Sequence, residues 1–291
     1  MKHRTLISKT YSYGLMAPGL LIYMMIFAIP TLASFYFSMT RWDLIHAEFI
    51  GLKNFITFFS QKNTSVAIGH TFLYAFGTCG AKVTLGLLLA VLLSSRYMKS
   101  QTYLKSLIYF PTMLSSVAVG ITFTALMHPT NGLFNQILAA LGMEKVKWLT
   151  DGNVALFSVM FVDVWKGIGV STVIYLAGLG AVPRDYYEAA QLDGAGPVRS
   201  FFSITLPLIV SSINSVLTLS LIGGLKSYEL LWSMTEGGPG YSTEILGTVV
   251  YKLFARGNYG IATAGNVIMF VLICAIIFPL NHYISKKVVE L

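Results

Sequence analysis

A short polar segment separates two long apolar runs of the chain and reads Glu188-Ala189-Ala190-Gln191-Leu192-Asp193-Gly194-Ala195-Gly196. We term residues 183–200 the polar island. Pro183 suits a first helical turn, where a missing N–H costs nothing, and the acidic Glu188 suits the positive end of a helix dipole. Gly194 predicts the end of the helix, because glycine accepts the left-handed C-terminal conformation. The pattern predicts one short helix and a tight turn before the chain re-enters an apolar run.

The composition on either side of the island is that of a membrane protein. The 291 residues are 55% hydrophobic and only 11% charged, whereas a soluble domain has about 25% charged residues. The net charge of +8 fits attraction to an anionic membrane surface. The basic residues form no stripe with interleaved aromatics, so nucleic acid is not an expected partner. Cys79 and Cys274 lie in apolar runs and are predicted to be core residues rather than disulfide or metal partners.

Six apolar runs are long enough to cross a membrane as helices, each needing about 20 residues. The first is too long for the roughly 7–15-residue core of a signal peptide. No alternating pattern of a β-barrel is present, and only helices then satisfy the backbone in lipid. The predicted spans are Thr10–Thr40, Ala67–Leu93, Leu107–Leu126, Ala155–Leu176, Phe202–Ile222 and Ile261–Ile284.

The orientation of the spans is predicted from lysine and arginine in the loops, which concentrate on the cytoplasmic side. Six spans put both termini on one side, together with the polar island. The short loops of that side are dense in basic residues, whereas those of the other side are spread over longer loops. We therefore expect both termini and the island in the cytoplasm. The basic residues predicted on the cytoplasmic side are Lys2, Arg4, Lys9, Arg96, Lys99, Lys105, Arg184, Arg199, Lys286 and Lys287.

The island and the following Phe201-Phe202-Ser203-Ile204-Thr205-Leu206-Pro207 resemble the EAA loop of the membrane subunits of binding-protein-dependent ABC importers. That pattern is roughly E-A-A, three residues, G-A, then F-x-x-I-x-L-P. Ser211 departs from it, since many relatives have a second proline there. Nine positions match in register: Glu188, Ala189, Ala190, Gly194, Ala195, Phe201, Ile204, Leu206 and Pro207.

Other segments are similar to carbohydrate-importer permeases, so that the resemblance covers nearly the whole chain. The segment Thr235–Gly240, with Ser242-Thr243-Glu244, resembles the external loop of the maltose/glycerol-phosphate-type first permease, which pairs with a distinct second permease. The other similar segments are Phe49–Phe55, Tyr109–Pro111, Trp165–Gly169 and Gly178–Pro183.

The resemblance implies an all-α polytopic membrane protein with six transmembrane helices and the type I ABC importer permease fold, with residues 1–291 forming a single permease domain. It implies as partners a second homologous permease subunit, an ATPase subunit dimer, an extracytoplasmic solute-binding protein and membrane lipid. The expected location is the cytoplasmic (inner) membrane of a bacterium or archaeon.

Glu188 has two interpretations. It is either a dipole-favoured acid on a solvated helix, worth roughly 0.3–1 kcal/mol, or a charged contact in a groove of the ATPase. The apolar neighbours favour docking, because a short helix with such residues suits a partner groove. The predicted coupling residues are Tyr187, Glu188, Ala189, Ala190, Asp193, Gly194 and Ala195.

No catalytic or metal-binding constellation is predicted. The chain lacks the phosphate-cradling G-x-x-x-x-G-K-[ST] loop, and no histidine pair has the i, i+4 spacing of a helical metal site. We therefore expect a transport subunit rather than an enzyme, with no cofactor of its own and with ATP and Mg bound by the partner ATPase.

Charged residues inside predicted spans are expensive in lipid and mark functional interiors. Asp163 and Lys166 stand at i, i+3 in the fourth span, so they either neutralise each other or line a transport path, and Lys166 has the further option of snorkelling toward the interface. For Lys82 we expect a structural pairing or snorkelling. Polar and aromatic residues in or near the fourth to sixth spans complete a candidate solute path: Asp163, Trp165, Lys166, Asn214, Tyr228, Glu229, Trp232 and Asn266.

The sequence thus predicts a permease subunit of an ATP-driven importer for a carbohydrate. A disaccharide, an oligosaccharide, a uronate fragment and glycerol-3-phosphate all stay open as solutes. The alternative is a stand-alone secondary transporter or channel, which would show inverted repeats or broken helices with buried coupling charges. A membrane-embedded enzyme is a weaker third option.

Overall fold

Helices of membrane-spanning length dominate this computed structural model, which describes residues 13–94 and 100–286. Four helical runs are long and apolar enough to cross a membrane: Ala17–Ser38, Lys62–Ser94, Ala155–Ala181 and Tyr259–Ser285. Two further spans are bent pairs: Gln101–Met113 with Ser116–Leu126, bent by 97°, and Pro197–Leu208 with Val210–Leu225, bent by 67°. Counting each pair as one span makes six within the described residues, as predicted.

We number the elements in chain order. The α-helices are α1 Ala17–Tyr23, α2 Ile29–Ser38, α3 Lys53–Ser60, α4 Lys62–Ser94, α5 Gln101–Tyr109, α6 Ser116–Leu126, α7 Leu133–Ala140, α8 Ala155–Ala181, α9 Arg184–Leu192, α10 Pro197–Ser200, α11 Leu206–Leu208, α12 Val210–Leu225, α13 Glu229–Thr235, α14 Leu246–Ala255 and α15 Tyr259–Ser285. Tighter or wider turns extend them at Tyr13–Met16, Met24–Ala28, Phe110–Met113 and Phe201–Thr205. The strands are β1 Thr40–Trp42 and β2 Ala47–Phe49.

Both bent spans turn close to a proline, which lacks a backbone N–H and crowds the carbonyl four residues earlier. Pro111 lies in a 3₁₀ turn, and the extended Leu114 (ψ 144°) then separates α5 from α6. Pro207 follows the π turn Phe201–Thr205, and Ile209 (φ −95°, ψ 13°) departs from helical geometry before α12. The third and fifth spans, predicted as single runs, are therefore two helices each.

The long helices α4 and α8 run parallel through the centre of the bundle. Their N-terminal halves meet in a core cluster that contains Tyr74 and Val159. Their C-terminal halves meet in a second cluster that contains Ala90 and Tyr175. All four side chains are fully buried, so the contact between α4 and α8 extends over most of both helices.

Helix α12 runs against α4 in the opposite direction. Its middle contributes Val216 to the cluster that holds Ala90, near the C-terminus of α4. Its C-terminal end brings Gly224 against Ala75, where a Cβ on the glycine would come within 2.7 Å of the Ala75 Cα. A small residue is therefore required at position 224 for this close approach.

The alternating directions divide the bundle into two ends. Gly260, at the start of α15, lies against the carbonyl of Thr40, just after α2, so α2 and α15 run antiparallel. One end, the island end, carries α9, the N-terminal end of the first span and the C-terminal end of α15. The other, the opposite end, carries the β1–β2 hairpin, α3, α7, α13 and α14.

The hairpin is a feature that the all-α expectation missed. Strand β1 pairs antiparallel with β2, with Thr40 opposite Phe49 and Trp42 opposite Ala47. The buried Asn54 of α3 fixes the hairpin to the first span, because its Nδ2 donates to the carbonyls of Ser38 (2.9 Å) and Thr40 (2.8 Å). Three-residue strands outside the spans do not change the fold class.

The helix boundaries and the position of Cys79 can be compared with the predictions. Helix α4 is longer than the predicted Ala67–Leu93, and α8 continues to Ala181 rather than ending at Leu176. Cys79 is a core residue as predicted and packs with Leu221 and Ile277. Residues 10–12 of the predicted first span lie outside the described residues, as do six of the basic residues used for orientation: Lys2, Arg4, Lys9, Arg96, Lys99 and Lys287.

Candidate coupling surface and solute path

The polar island has the local structure that its sequence predicts. Helix α9 begins after the extended Pro183 (ψ 142°), and Gly194 has the left-handed φ of +75°. The amide of Ala195 donates to the carbonyl of Ala190 at 2.8 Å, and that of Gly194 donates to Gln191 at 3.1 Å. These two bonds are the Schellman arrangement, which satisfies the last carbonyls of a helix and stops it sharply.

The surface of α9 is open. None of its nine residues is buried, and Leu192 is 91% exposed. Tyr186 and Val198 are also exposed, so that apolar side chains stand beside the carboxylate of Glu188. Among the predicted coupling residues, Glu188, Ala189, Asp193 and Gly194 are exposed, whereas Tyr187, Ala190 and Ala195 are half-buried.

Tyr187 joins the island to the bundle. Its hydroxyl forms a hydrogen bond of 2.9 Å with Oγ1 of Thr205, in the π turn before the bend of the fifth span. Its ring packs against the core cluster that includes Val182 and Ile209. Tyr187 therefore links α9 to the region around Ile209, which is the corner of the bent span.

The predicted intramembrane charges do not pair as a neighbouring couple. Asp163 Oδ2 accepts from Lys82 Nζ at 2.7 Å, which links α8 to α4. Lys166 Nζ instead donates to Oγ of Ser116 at 3.1 Å. Of the alternatives for Asp163 and Lys166, mutual neutralisation is therefore wrong, because the carboxylate of Asp163 pairs with Lys82 instead. The structural pairing predicted for Lys82 is confirmed.

Gly167 makes this ion pair possible. An ideal Cβ at Gly167 would lie 2.7 Å from Cε of Lys82. The side chain of Lys82 therefore packs against α8 at a glycine, where no Cβ obstructs it. Lys82 also lines a cavity between α4, α8 and α12, together with Ser171 and Ser220.

The structure brings two of the predicted path residues together at the opposite end. The rings of Tyr228 and Tyr251 stack with centroids 5.5 Å apart, and Trp232 lies 4.7 Å from Tyr251. Lys252 Nζ stands 6.0 Å above the Trp232 ring. Tyr251 was missed because α14 is too short for a span, although its apolar pattern is helical. We term Tyr228, Trp232 and Tyr251 the aromatic triad.

Of the other predicted path residues, Glu229 directly follows Tyr228 in the chain, and the rest belong to other helices. Trp165 is 37% exposed and packs on Phe123, with ring centroids 5.1 Å apart. Oδ1 of Asn214 is buried without a hydrogen-bond partner among the described residues. Glu229 and Asn266 are exposed.

The segment Thr235–Lys252 carries a buried network that the sequence did not reveal. Glu244 is fully buried, and its Oε2 accepts from Lys252 Nζ at 3.1 Å. Its other carboxylate oxygen accepts from Asn63 at 3.5 Å, and its carbonyl lies 3.2 Å from Nδ1 of His70. The amide of Leu246 donates to a side chain of α4 as well. This segment is therefore fastened to the N-terminal part of α4.

Comparison with known proteins identifies the class of molecule. Residues 82–290 match the model of the family described as binding-protein-dependent transport system inner membrane component. The chain belongs to this family. It is thus a membrane component of an ABC transport system and not an enzyme. The two bent spans, a feature expected of the alternative secondary transporter, occur here within this family's fold.

Individual relatives are similar over nearly their whole length. The trehalose/maltose transport system permease protein MalF of Thermococcus litoralis is 31% identical over 263 residues, which cover 90% of this chain and 89% of that protein. The sulfoquinovosyl glycerol transport system permease protein SmoG of Agrobacterium fabrum is 33% identical over 264 residues, covering 89% and 85%.

The fold is similar to that of solved ABC importers. A chain of a bacterial ABC transporter that imports the acidic polysaccharide alginate superimposes with a TM-score of 0.83 at 25% identity and 94% coverage of both chains. A chain of the MetNI methionine ABC transporter gives a TM-score of 0.57 at 15% identity, covering 81% of this chain and 99% of that one. The type I importer fold expected from the sequence is therefore confirmed.

Proposed function

We propose that this chain is a permease subunit that imports a carbohydrate delivered by an extracytoplasmic binding protein. The observation that carries the proposal is the full-length similarity to permeases named for trehalose/maltose and sulfoquinovosyl glycerol, at 31% and 33% identity. The open surface of α9 at one end of the bundle supports it, since such a surface needs a partner. A second permease, an ATPase dimer and a binding protein complete the assembly.

In this proposal α9 is the lever that couples ATP hydrolysis to transport. Its exposed Leu192 and Tyr186 fill a groove of the ATPase, and Glu188 pairs with a basic residue there. Closure of the ATPase dimer then pushes on α9, and the contact of Tyr187 with Thr205 carries the movement to the bend at Ile209. ATP and Mg are bound by the partner, and the chain contributes no cofactor.

The solute path in this proposal passes the aromatic triad and the central charges. Aromatic faces bind the apolar faces of sugar rings, and buried polar atoms such as Oδ1 of Asn214 supply hydrogen bonds. Losing one hydrogen bond to a ligand costs roughly 1–3 kcal/mol. Alanine at Trp165, Asn214, Tyr228 or Trp232 should lower uptake more than it lowers the yield of assembled complex. If all four variants transport normally, the path lies elsewhere.

The proposal also orients the chain, with the island end in the cytoplasm. A tag at either terminus should then be protected from reagents outside intact cells. Single cysteines at Glu144, an exposed loop residue of the opposite end, and at the exposed Asp185 of α9 provide a matched pair. We expect labelling from outside at position 144 only, and labelling at position 185 would reverse the orientation.

Reconstitution tests the function itself. The chain alone in liposomes should neither hydrolyse ATP nor transport a sugar. The complete complex with its binding protein should do both. Sustained uptake by the chain alone would favour the stand-alone transporter instead.

A further inference from the structure

The middle of the bundle holds an uncompensated positive charge. Among the described residues, the central parts of the spans contain two lysines and one aspartate, namely Lys82, Lys166 and Asp163. Lys82 and Asp163 neutralise each other at 2.7 Å. Lys166 stands near the middle of α8, and none of the described carboxylates lies within 4.0 Å of its Nζ. The cluster therefore carries a net charge of +1.

The environment of Lys166 holds the ammonium in place without neutralising it. Its Nζ donates to the hydroxyl of Ser116 at 3.1 Å, and its carbonyl accepts from Oγ1 of Thr112 at 2.9 Å. Both partners come from the corner between α5 and α6, where the third span bends by 97°. The residue as a whole is half-buried beside this corner.

A cation at this depth is expensive in lipid and faces either water or an anion. A single-sign charge in a low-dielectric cleft also raises the local concentration of ions of the opposite sign. A neutral sugar requires neither property. Both are useful for a solute that carries its own negative charge through the membrane.

We propose that the transported solute is acidic, with a carboxylate, sulfonate or phosphate group that pairs with Lys166 during translocation. This inference rests on the proposed function of a carbohydrate permease and narrows its substrate class. Ser116 acts as a positioning residue, since it orients the ammonium. The ion pair of Lys82 and Asp163 leaves Lys166 as the one available cation among these three central charges of the described residues.

The test uses the complete complex in proteoliposomes with its binding protein. The probes are a uronate trisaccharide and the same trisaccharide with its carboxyl groups reduced to alcohols. We expect the wild type to take up the acid in preference to the alcohol. Lys166→Gln should lower uptake of the acid by roughly tenfold to hundredfold, the effect of losing a charge-assisted hydrogen bond, and should leave uptake of the alcohol within about twofold. Because the binding protein is the same throughout, its own selectivity cancels when a variant is compared with the wild type on the same solute.

Three controls make the test decisive. Lys166→Arg keeps the charge and should keep the preference. Lys226→Gln removes an exposed lysine at the end of α12 and should change neither uptake. Ser116→Asp places a carboxylate beside Lys166 and should abolish the preference even if Lys166→Gln fails to assemble.

Other outcomes overturn the inference. An equal loss of both solutes in Lys166→Gln would assign Lys166 to a contact with the second permease. Wild-type uptake of the neutral trisaccharide alone would also refute the acidic solute while leaving the carbohydrate permease intact. Uptake of neither trisaccharide, nor of any saccharide in a wider panel, would refute the proposed function itself.

Discussion

Two glutamates at opposite ends of the bundle show how differently this chain treats the same side chain. Glu188 lies on α9 with its carboxylate exposed. Glu244 is fully buried and is held by Lys252 at 3.1 Å and Asn63 at 3.5 Å. A buried charge is stable only when it is paired and hydrogen-bonded. Glu244 finds its partners within the subunit, whereas we propose that the partner of Glu188 belongs to another polypeptide.

The difference between the two glutamates suggests that the two ends have different roles, one in the stability of the subunit and the other in coupling to ATP hydrolysis. The segment around Glu244 is fastened to the bundle and should determine whether the subunit folds. The island contacts the bundle through Tyr187 and should determine whether ATP hydrolysis is transmitted. Substitutions at the two ends should therefore have opposite signatures.

Glu188→Lys should have the largest effect on function. Reversing the charge places a lysine against the basic groove residue that we propose for the ATPase, so docking and transport should be lost. The free energy of unfolding should change by no more than about 0.5 kcal/mol, as for other exposed sites. Co-purification of the ATPase and thermal stability of the isolated subunit measure the two effects. Glu144→Lys, an exposed site in a loop of the opposite end, should dock normally.

Glu244→Ala should have the largest effect on stability. Removing one member of a buried ion pair costs roughly 3–5 kcal/mol, because the charge of Lys252 remains without its partner. Thermal unfolding in detergent should show this loss, and Glu144→Ala should not. Unchanged stability would mean that the network around Glu244 is replaceable by water.

Gly194→Val should act through the backbone. At φ +75° a side chain is strained by roughly 1–2 kcal/mol, although nothing lies within 4 Å of the added Cβ. The strain should redirect the chain after α9, so that hydrolysis loses its stimulation by solute or the complex fails to assemble. Gly196→Val is the matched control, since Gly196 has an ordinary φ of −73° and equally open surroundings. Equal behaviour of the two variants would refute the role of the glycine end.

Arg41→Gln should have the smallest effect. Arg41 and Glu48 form an ion pair of 3.5 Å whose side chains are 70% and 69% exposed. Exposed pairs contribute roughly 0–1 kcal/mol, so unfolding should be shifted by a small fraction of the Glu244→Ala effect. A shift as large as that of Glu244→Ala would show that the hairpin, rather than the buried network, stabilises the opposite end.

The same contrast between the two ends explains what could be predicted from the sequence. The helix of the island, its start after Pro183 and its end at Gly194 depend on neighbouring residues, so local rules were sufficient. The six spans were predicted because membrane helices need long apolar runs. The bends at Pro111 and Pro207 depend on a proline together with the packing around it, and the apolar pattern alone does not show them.

Contacts between distant parts of the chain were beyond local rules. Glu244 contacts Asn63 and His70, which are more than 170 positions away in the sequence. No local spacing of residues predicts these contacts. Asp163 pairs with Lys82 rather than with its helical neighbour Lys166 for the same reason. Tyr251 belongs to the aromatic triad because the tertiary structure places its ring against Tyr228 and Trp232. The residues next to Tyr251 in the sequence do not indicate this contact.

Site-directed cross-linking tests the central claim most directly, namely that α9 docks into the ATPase. In a background with Cys79 and Cys274 replaced by alanine, single cysteines at Leu192 and Ile45 carry the same photoreactive maleimide. The two positions are 91% and 85% exposed and lie at the island end and the opposite end. We expect a cross-link to the ATPase from position 192 and none from position 45. A cross-link from position 45, or none from position 192 in the assembled complex, would contradict the docking of α9.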